Sequence, residues 1–518
     1  MNAHQRSAQV RAWPLLSAAL LLASCGGNGG GSGTVVTPAP TPTPTATATP
    51  TPAGPEAGTI VSISDAAALE IRSAGSNALL TIEGASQTAG ARIARTDSGS
   101  GTAAVRWHAL PMGNNRYNIE SLLTHQVMGI EAASTAEGAL AVQWADNGTD
   151  DHLWSFYRLS NGNYLIRNVN SGLYLQVGAG GAITQGARAT SGQEWAITVT
   201  GDRAYPEPAV LAGAGIDVHD PDLLQDASGT IWLYGTHNTL ARSTDGALFL
   251  AETRPIISPD FSWWASKNTT WQGRTDIWAP SILHANGTYY LYYSIPIYNT
   301  PSQAGTNNGA QALIALATST SPNGPWTDAG TIIESCGNMP GCTTTFNAID
   351  PAPFIGADGR WWMAFGSWED GIHVLELDPA TGLRLQSNSA LPVIAFRGAG
   401  QEGPFVLPRV VNGQQWYYYF GSNNPCCSAS STYRVVVGRS ASPTGPFLDR
   451  GGIDLRDGGG TILLGTHGYV VGPGGQSVRE IGGQLKLVYH FYDSRANGAP
   501  KLGLNTIAFD AEGWPYLQ

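Results

Sequence analysis

Charged side chains are scarce in this chain. Asp, Glu, Lys and Arg make up 13% of its 518 residues, and no long cluster of Lys and Arg occurs. With a formal net charge of −11, that scarcity argues against nucleic acid as a partner and favours a neutral ligand over a polyanion. Sustained helical periodicity is also missing, which removes an α/β architecture. Cysteines number five, and none has zinc-site spacing. What is plentiful is Gly (65) and Trp (16), a mix that suits many short strands, tight turns and spare aromatic surface. The length exceeds a single core, so two or more domains are expected.

The first 25 residues read as a targeting segment. Arg6 and Arg11 supply positive charge, and PLLSAALLLA is an apolar run too short to span a bilayer. It ends in LLASC, which resembles a bacterial lipobox with Cys25 as the lipid-modified residue. An exported lipoprotein on a periplasmic or cell-surface membrane face is implied, with plain secretion as the alternative. Residues 26–57 are Gly-rich, then Pro/Thr-rich, and form a tether. Of the remaining cysteines, Cys336 and Cys342 are expected to close a small loop. Adjacent Cys426 and Cys427 are compatible with a vicinal disulfide or with two thiols.

Residues 58–200 carry an internal repeat. RYNIESLLTHQVMGIE aligns with NYLIRNVNSGLYLQVG, and SNALLTIEG echoes the end of each. The units close on Trp107, Trp154 and Trp195. Three strand-rich units of about 45 residues resemble a ricin-type β-trefoil, whose repeats end in Gln-x-Trp; Gln193-Glu194-Trp195 matches fully. The resemblance implies core roles for the tryptophans and glycan binding for the domain, with a purely structural spacer as the alternative.

Residues 205–518 present five copies of one pattern: a polar or Pro-containing entry, a short apolar run, a Gly turn, then an aromatic strand. They are HDPDLLQDASGTIWLYGT, WAPSILHANGTYYLYYS, IDPAPFIGADGRWWMAFGS, EGPFVLPRVVNGQQWYYYFGS and GPGGQSVREIGGQLKLVYHFYDS. Repeats at blade-sized spacing predict an all-β chain, a five-bladed β-propeller preceded by the trefoil. Alignment sets Asp220, Ala279, Asp350 and Gly403 each before a proline, with Gly472 at the matching place in the fifth copy. Glu402 sits one place earlier than Gly403. A lone Asp-Pro is a turn. Three acids in near-equivalent register, Asp220, Asp350 and Glu402, repel one another in a shared axial pocket, and that arrangement suits glycoside hydrolysis, which needs paired carboxylates. Asp222 competes with Asp220 for the role of base, because strand alternation puts both on one face. Glu369 and Asp370 form a rival pair on a solvated loop. Trp232, Trp271, Trp278, Trp361 and Trp368 offer flat faces for sugar rings or pack within the blades.

VHDPDLL, IWAPSI, NAIDPAPF, GSWEDGIHVLELDP, QEGPF, CCSASSTYRVVVGRS and LVYHFYD closely resemble glycoside hydrolase family 43, and within it the endo-α-1,5-L-arabinanases. The resemblance spans nearly all of residues 213–518. It implies an inverting mechanism on arabinan or arabino-oligosaccharides, with Asp220 as general base, Glu402 as general acid and Asp350 as modulator of the acid's pKa. It further suggests His219, Trp278 and Asn347 as substrate contacts. An exo-acting α-L-arabinofuranosidase, a β-xylosidase, or a non-catalytic surface glycan-binding protein are the alternatives. No cofactor is required. A structural calcium on the propeller axis is implied by the family's GPGHNSV, but this chain has Gly475 and Gln476 at the His and Asn positions. His467 and His490 are then the substitute ligands, and a glutamine with ordered water is the competing filling. A monomer is expected.

Overall fold

Short apolar segments punctuated by Gly and Asn turns give strands, and among the described residues the only helical pieces are short 3-10 turns. The computed structural model describes residues 56–189, 191–267, 270–271, 274–297, 311–337, 341–386 and 390–518. The signal-like segment, Cys25 and nearly all of the linker lie outside these, as does the side chain of Trp271. Both β modules belong to one unit, Gly54–Gln518.

Strands between Thr59 and Arg203 form the trefoil. Its pseudo-threefold core is set by the repeat tryptophans, which are 1%, 0% and 0% exposed. Each indole N–H donates to a backbone carbonyl of its own repeat: Trp107 to Leu80 (3.2 Å), Trp154 to Met128 (2.9 Å) and Trp195 to Leu175 (3.1 Å). The buried ring supplies transfer energy, and the single polar atom finds its partner, so the residue costs the core nothing. Gln143 and Gln185 repeat a second device. Their side-chain amides donate to Ser86 and Thr88 in one case and to Ser134 and Ala136 in the other. Each amide thereby ties one repeat to the one before it.

Of the remaining strands, Thr270–Trp271 pairs with Arg274–Thr275 in a separate two-stranded sheet, and the others form five four-stranded antiparallel sheets, the blades. Their inner strands are Asp222–Gln225, Trp278–Ala285, Ala352–Ile355, Gln401–Val411 and Val470–Ile481. Among the described residues no strand is exchanged between the first and last blades, so the ring closes by side chains. Leu223, Ile231 and Leu233 of blade 1 pack with Ile481, Val488 and Leu502 of blade 5. Asp222 and Arg479 pair across the same junction.

One expectation needs correction. The axial space is lined by Asp220–Asp222, Ala279–Ser281, Asp350–Ala352, Gly403–Phe405 and Gly475–Ser477. Gly475, not Gly472, is therefore the fifth-blade counterpart of Asp220. The cause is a pair of register shifts in that strand, between Val471 and Gly474 and between Gly474 and Ser477. They insert residues that a linear alignment cannot see.

The trefoil is seated on blades 3 and 4 by buried charge. Asp146 of the trefoil pairs with Arg397 (2.9 Å) and Arg434 (2.7 Å), all three essentially buried. Arg434 also donates to Asn118 Oδ1. Nearby, Glu120 accepts hydrogen bonds from Tyr205 (2.6 Å) and His125 (2.8 Å) and faces His108 (3.2 Å). Burial alone would raise the Glu120 carboxyl, but the two histidines bring it down to about 2.

Candidate active site

The five equivalent entry residues share an unusual backbone. Asp220, Ala279, Asp350, Gly403 and Gly475 have φ of 48°, 41°, 58°, 58° and 56°. Three are not glycine, and four precede proline, which normally pushes its neighbour to extended conformations. Strain of this kind persists where surrounding contacts over-determine it. Those contacts are visible in the second strand of each blade.

Strand pairing aligns Asp222 with Tyr234, Ser281 with Tyr292, Ala352 with Ala364, Phe405 with Phe420 and Ser477 with Val488. Two residues beyond each partner stand Thr236, Ser294, Gly366, Ser422 and His490. Four of these accept the entry amide of the next blade: Ala279 N–H to Thr236 (3.0 Å), Asp350 N–H to Ser294 (2.9 Å), Gly475 N–H to Ser422 (2.9 Å) and Asp220 N–H to His490 Nδ1 (3.1 Å). Gly366 has no side chain to offer. There, Gly403 N–H donates to Asp350 Oδ2 instead (2.9 Å). The ring of five amides is thus fully satisfied, and its one missing acceptor is supplied by a carboxylate.

Above this ring opens a cavity of about 550 Å³ lined by Asp220, Asp350 and Glu402 together with His219, Trp278, Tyr433, Tyr492, Cys426 and Cys427. The ring itself encloses only about 40 Å³. Asp220 Oδ2 accepts from Thr236 (2.6 Å) and pairs with His219 Nδ1 (2.8 Å). Its Oδ1 is 3.6 Å from His490 Nδ1, a nitrogen already occupied by the Asp220 amide. Burial would raise the Asp220 carboxyl, but His219, His490 and Thr236 hold it well below the ordinary range. Glu402 accepts from Ser367 (2.6 Å) and from the Tyr433 hydroxyl. Burial, with a contribution from Asp220, raises its pKa. Asp350 is raised well above the carboxylate range by burial, then by Glu402 and Asp220. Within one pocket one acid is pushed towards the ionised form and two towards the protonated form. Such divergence marks acid–base division of labour.

Of the three expected substrate contacts, His219 and Trp278 reach the cavity wall. The Trp278 indole donates to Asp276 (2.6 Å), which fixes its plane. Asn347 does not line the cavity. It is buried, with its Oδ1 lacking a partner among the described residues. Asp222 faces the ring but is spent on structure, accepting from Arg479 (2.7 and 2.5 Å), Ser281 (3.0 Å) and the Ile282 amide (2.9 Å). Trp232 and Trp361 are buried in the blades. Trp368 is exposed, and like Glu369 and Asp370 it lies away from the cavity lining. Asp370 holds His373 (2.8 Å) and Thr345 (2.5 Å). Both disulfides are formed, Cys336–Cys342 and the vicinal Cys426–Cys427.

Sequence reasoning missed Thr236, Ser367, Tyr433 and Tyr492. The signal was present for the first two: all five copies of the blade pattern end in a hydroxyl residue, as GT, YS, GS, GS and DS.

Calcium takes six to eight oxygen ligands. The group that gathers at the ring is His219, Asp220 and His490, two imidazoles and one carboxylate. Both His219 nitrogens and the Asp220 Oδ2 are already hydrogen-bonded. His467 lies under the trefoil instead, against Tyr205 at 5.4 Å, with Nδ1 on the Gly465 carbonyl. These residues do not fit a calcium shell.

A five-bladed propeller whose axial pocket gathers three buried carboxyls, one with its pKa pushed down and two with theirs pushed up, has a glycoside hydrolase architecture. Residues 216–515 match the model of glycosyl hydrolases family 43, and the chain belongs to that family. Residues 60–144 and 106–193 match the ricin-type beta-trefoil lectin domain-like model. The chain is 36% identical over 323 residues, 60% of its length and 91% of the relative's, to extracellular endo-alpha-(1->5)-L-arabinanase 1 of Bacillus subtilis. It is 33% identical, over 58% of its length and 86% of the relative's, to extracellular exo-alpha-(1->5)-L-arabinofuranosidase ArbA of Cellvibrio japonicus. Among solved structures, the GH43 endo-arabinanase from Bacillus licheniformis superposes with TM-score 0.51 at 32% identity, covering 59% of this chain and 99% of that one.

Proposed function

We propose that the chain hydrolyses α-1,5-L-arabinofuranosidic bonds of arabinan with inversion, attacking within the polymer. The observation that carries this reading is that Asp220 and Glu402 line one cavity with their pKa values pushed in opposite directions. Glu402 gives its proton to the departing glycosidic oxygen. Asp220, ionised, takes a proton from the water that attacks the anomeric carbon on the opposite face. Asp350 modulates the pKa of Glu402, the two carboxyls interacting across the cavity. Trp278 offers a ring face to a sugar, and His219 orients the base. Relatives that act on α-1,5-arabinan, both endo and exo in their names, support the substrate class.

Glu402→Gln tests the assignment: near-wild-type cleavage of linear 1,5-arabinan refutes it. The product series decides mode. Oligosaccharides of mixed length at early times mean internal attack; a single short product from the first minutes reassigns the enzyme as exo-acting. The trefoil is proposed to hold glycan near the cleft, and export with a lipid on Cys25 to hold the monomeric enzyme at a membrane surface. Polymer binding by inactive E402Q that a soluble arabinotriose fully abolishes would remove the trefoil's binding role.

A further inference from the structure

The loop between Asn423 and Arg434 touches both halves of the catalytic pair. It ends in Tyr433, whose hydroxyl donates to Glu402. Near its start, Cys427 N–H donates to the Tyr492 hydroxyl (2.9 Å). Tyr492 in turn meets His219 Nε2 (2.7 Å), and His219 Nδ1 meets Asp220 Oδ2 (2.8 Å). Tyr492 is buried and keeps its proton, its pKa raised by burial and by Asp220. With one lone pair taken by Cys427, its hydroxyl is held against His219 Nε2, which leaves Nδ1 facing the base; burial would lower the His219 pKa, but Asp220 raises it.

Cys427 sits at φ 79°, a conformation that residues bearing a Cβ rarely hold without constraint. Its disulfide to the preceding Cys426 supplies one. Both cysteines stand on the cavity wall, yet neither offers a hydrogen-bonding group to the carboxylates themselves. We propose that the Cys426–Cys427 disulfide is a positioning element for the general base: it locks the left-handed turn that aims Cys427 N–H at Tyr492, and through Tyr492 and His219 sets the orientation and ionisation of Asp220. The inference rests on the assignment of Asp220 as base.

The test is the pH dependence of kcat/KM on linear 1,5-arabinan for C426A/C427A, Y492F and the combination. Loosening the His219 bond raises the Asp220 pKa, so the acidic limb moves to higher pH, by about half to one unit. The expected kcat loss is about tenfold, with KM within about twofold, because base alignment is disturbed and sugar contacts are not. The combined variant is expected to be no worse than either part, since all act through one chain of contacts. Glycine holds a left-handed φ freely, so C426A/C427G is expected to recover most of the shift; this variant also separates positioning from a general loss of folding. An unmoved limb, additive losses, a shift that C426A/C427G does not reduce, or a rise in KM alone, which would make the disulfide a sugar contact, each overturn the inference. D220N is run alongside: if it retains activity, the base assignment falls, whereas inactive D220N with an unmoved limb in the cysteine variants sinks only the positioning role.

Discussion

Adding one carbon at Gly475 should cripple catalysis. A Cβ there would lie 2.3 Å from Asp220 Oδ1 and 2.8 Å from His490 Nδ1, where contacts below 3.0 Å essentially do not occur. His490 is fully buried and stacked on His219 at 3.7 Å, so it has nowhere to retreat. Asp220 must therefore yield by at least 3.0 − 2.3 = 0.7 Å. Displacing a reacting group by about 1 Å costs on the order of 10²-fold, or about 2.7 kcal/mol of transition-state stabilisation. A left-handed alanine adds about 1–2 kcal/mol to the folding cost. Gly403→Ala isolates the two effects, because Gly403 has nearly the same φ, 58°, but its added Cβ meets nothing closer than 3.3 Å. The measurement is kcat and KM on linear 1,5-arabinan for G475A and G403A, with thermal midpoints for both. Similar loss of thermal midpoint with a roughly hundredfold kcat deficit confined to G475A is expected. A G475A enzyme within about threefold of G403A in kcat would refute the steric argument and the placement of Asp220.

Other outcomes follow from the same geometry. Asp350→Asn removes the carboxyl that burial, Glu402 and Asp220 push up, and with it the second, raised deprotonation step of two interacting acids; the basic limb of the pH–rate profile, which reports loss of the acid's proton, should move to lower pH. Thr236→Val deletes one hydrogen bond that stabilises ionised Asp220 and the acceptor for Ala279 N–H, so the acidic limb should rise while denaturant midpoints fall. Asp146→Ala strands two buried guanidinium groups and should cost about 3–5 kcal/mol, read as a lower urea midpoint and faster proteolysis between trefoil and propeller. An unchanged midpoint would mean that the seam is held by its apolar contacts instead.

Much of the fold was legible because its repeats are local. Trp107, Trp154 and Trp195 close their units, and each finds its hydrogen-bond acceptor within that unit. The blade hairpins likewise pair residues close in sequence, so pattern and turn chemistry suffice to predict them. The three acids were legible for the same reason: equivalent places in equivalent repeats face the same axis. Gly475 was misplaced because bulges shift register without changing composition.

Local sequence, through periodicity and the X-Pro entries, determined that there are five blades, where they begin, and that Asp220, Asp350 and Glu402 face one axis. Tertiary structure alone decided which way each acid's pKa is pushed, because that depends on burial and on groups the fold brings in: His490 and Tyr492 from the last blade on Asp220 and His219, Tyr433 on Glu402. It also decided that Asp222 is a structural acid, by bringing Arg479 to it from 257 residues away. Protonation is set by burial and by neighbours in space, and a closed ring makes its first and last blades neighbours.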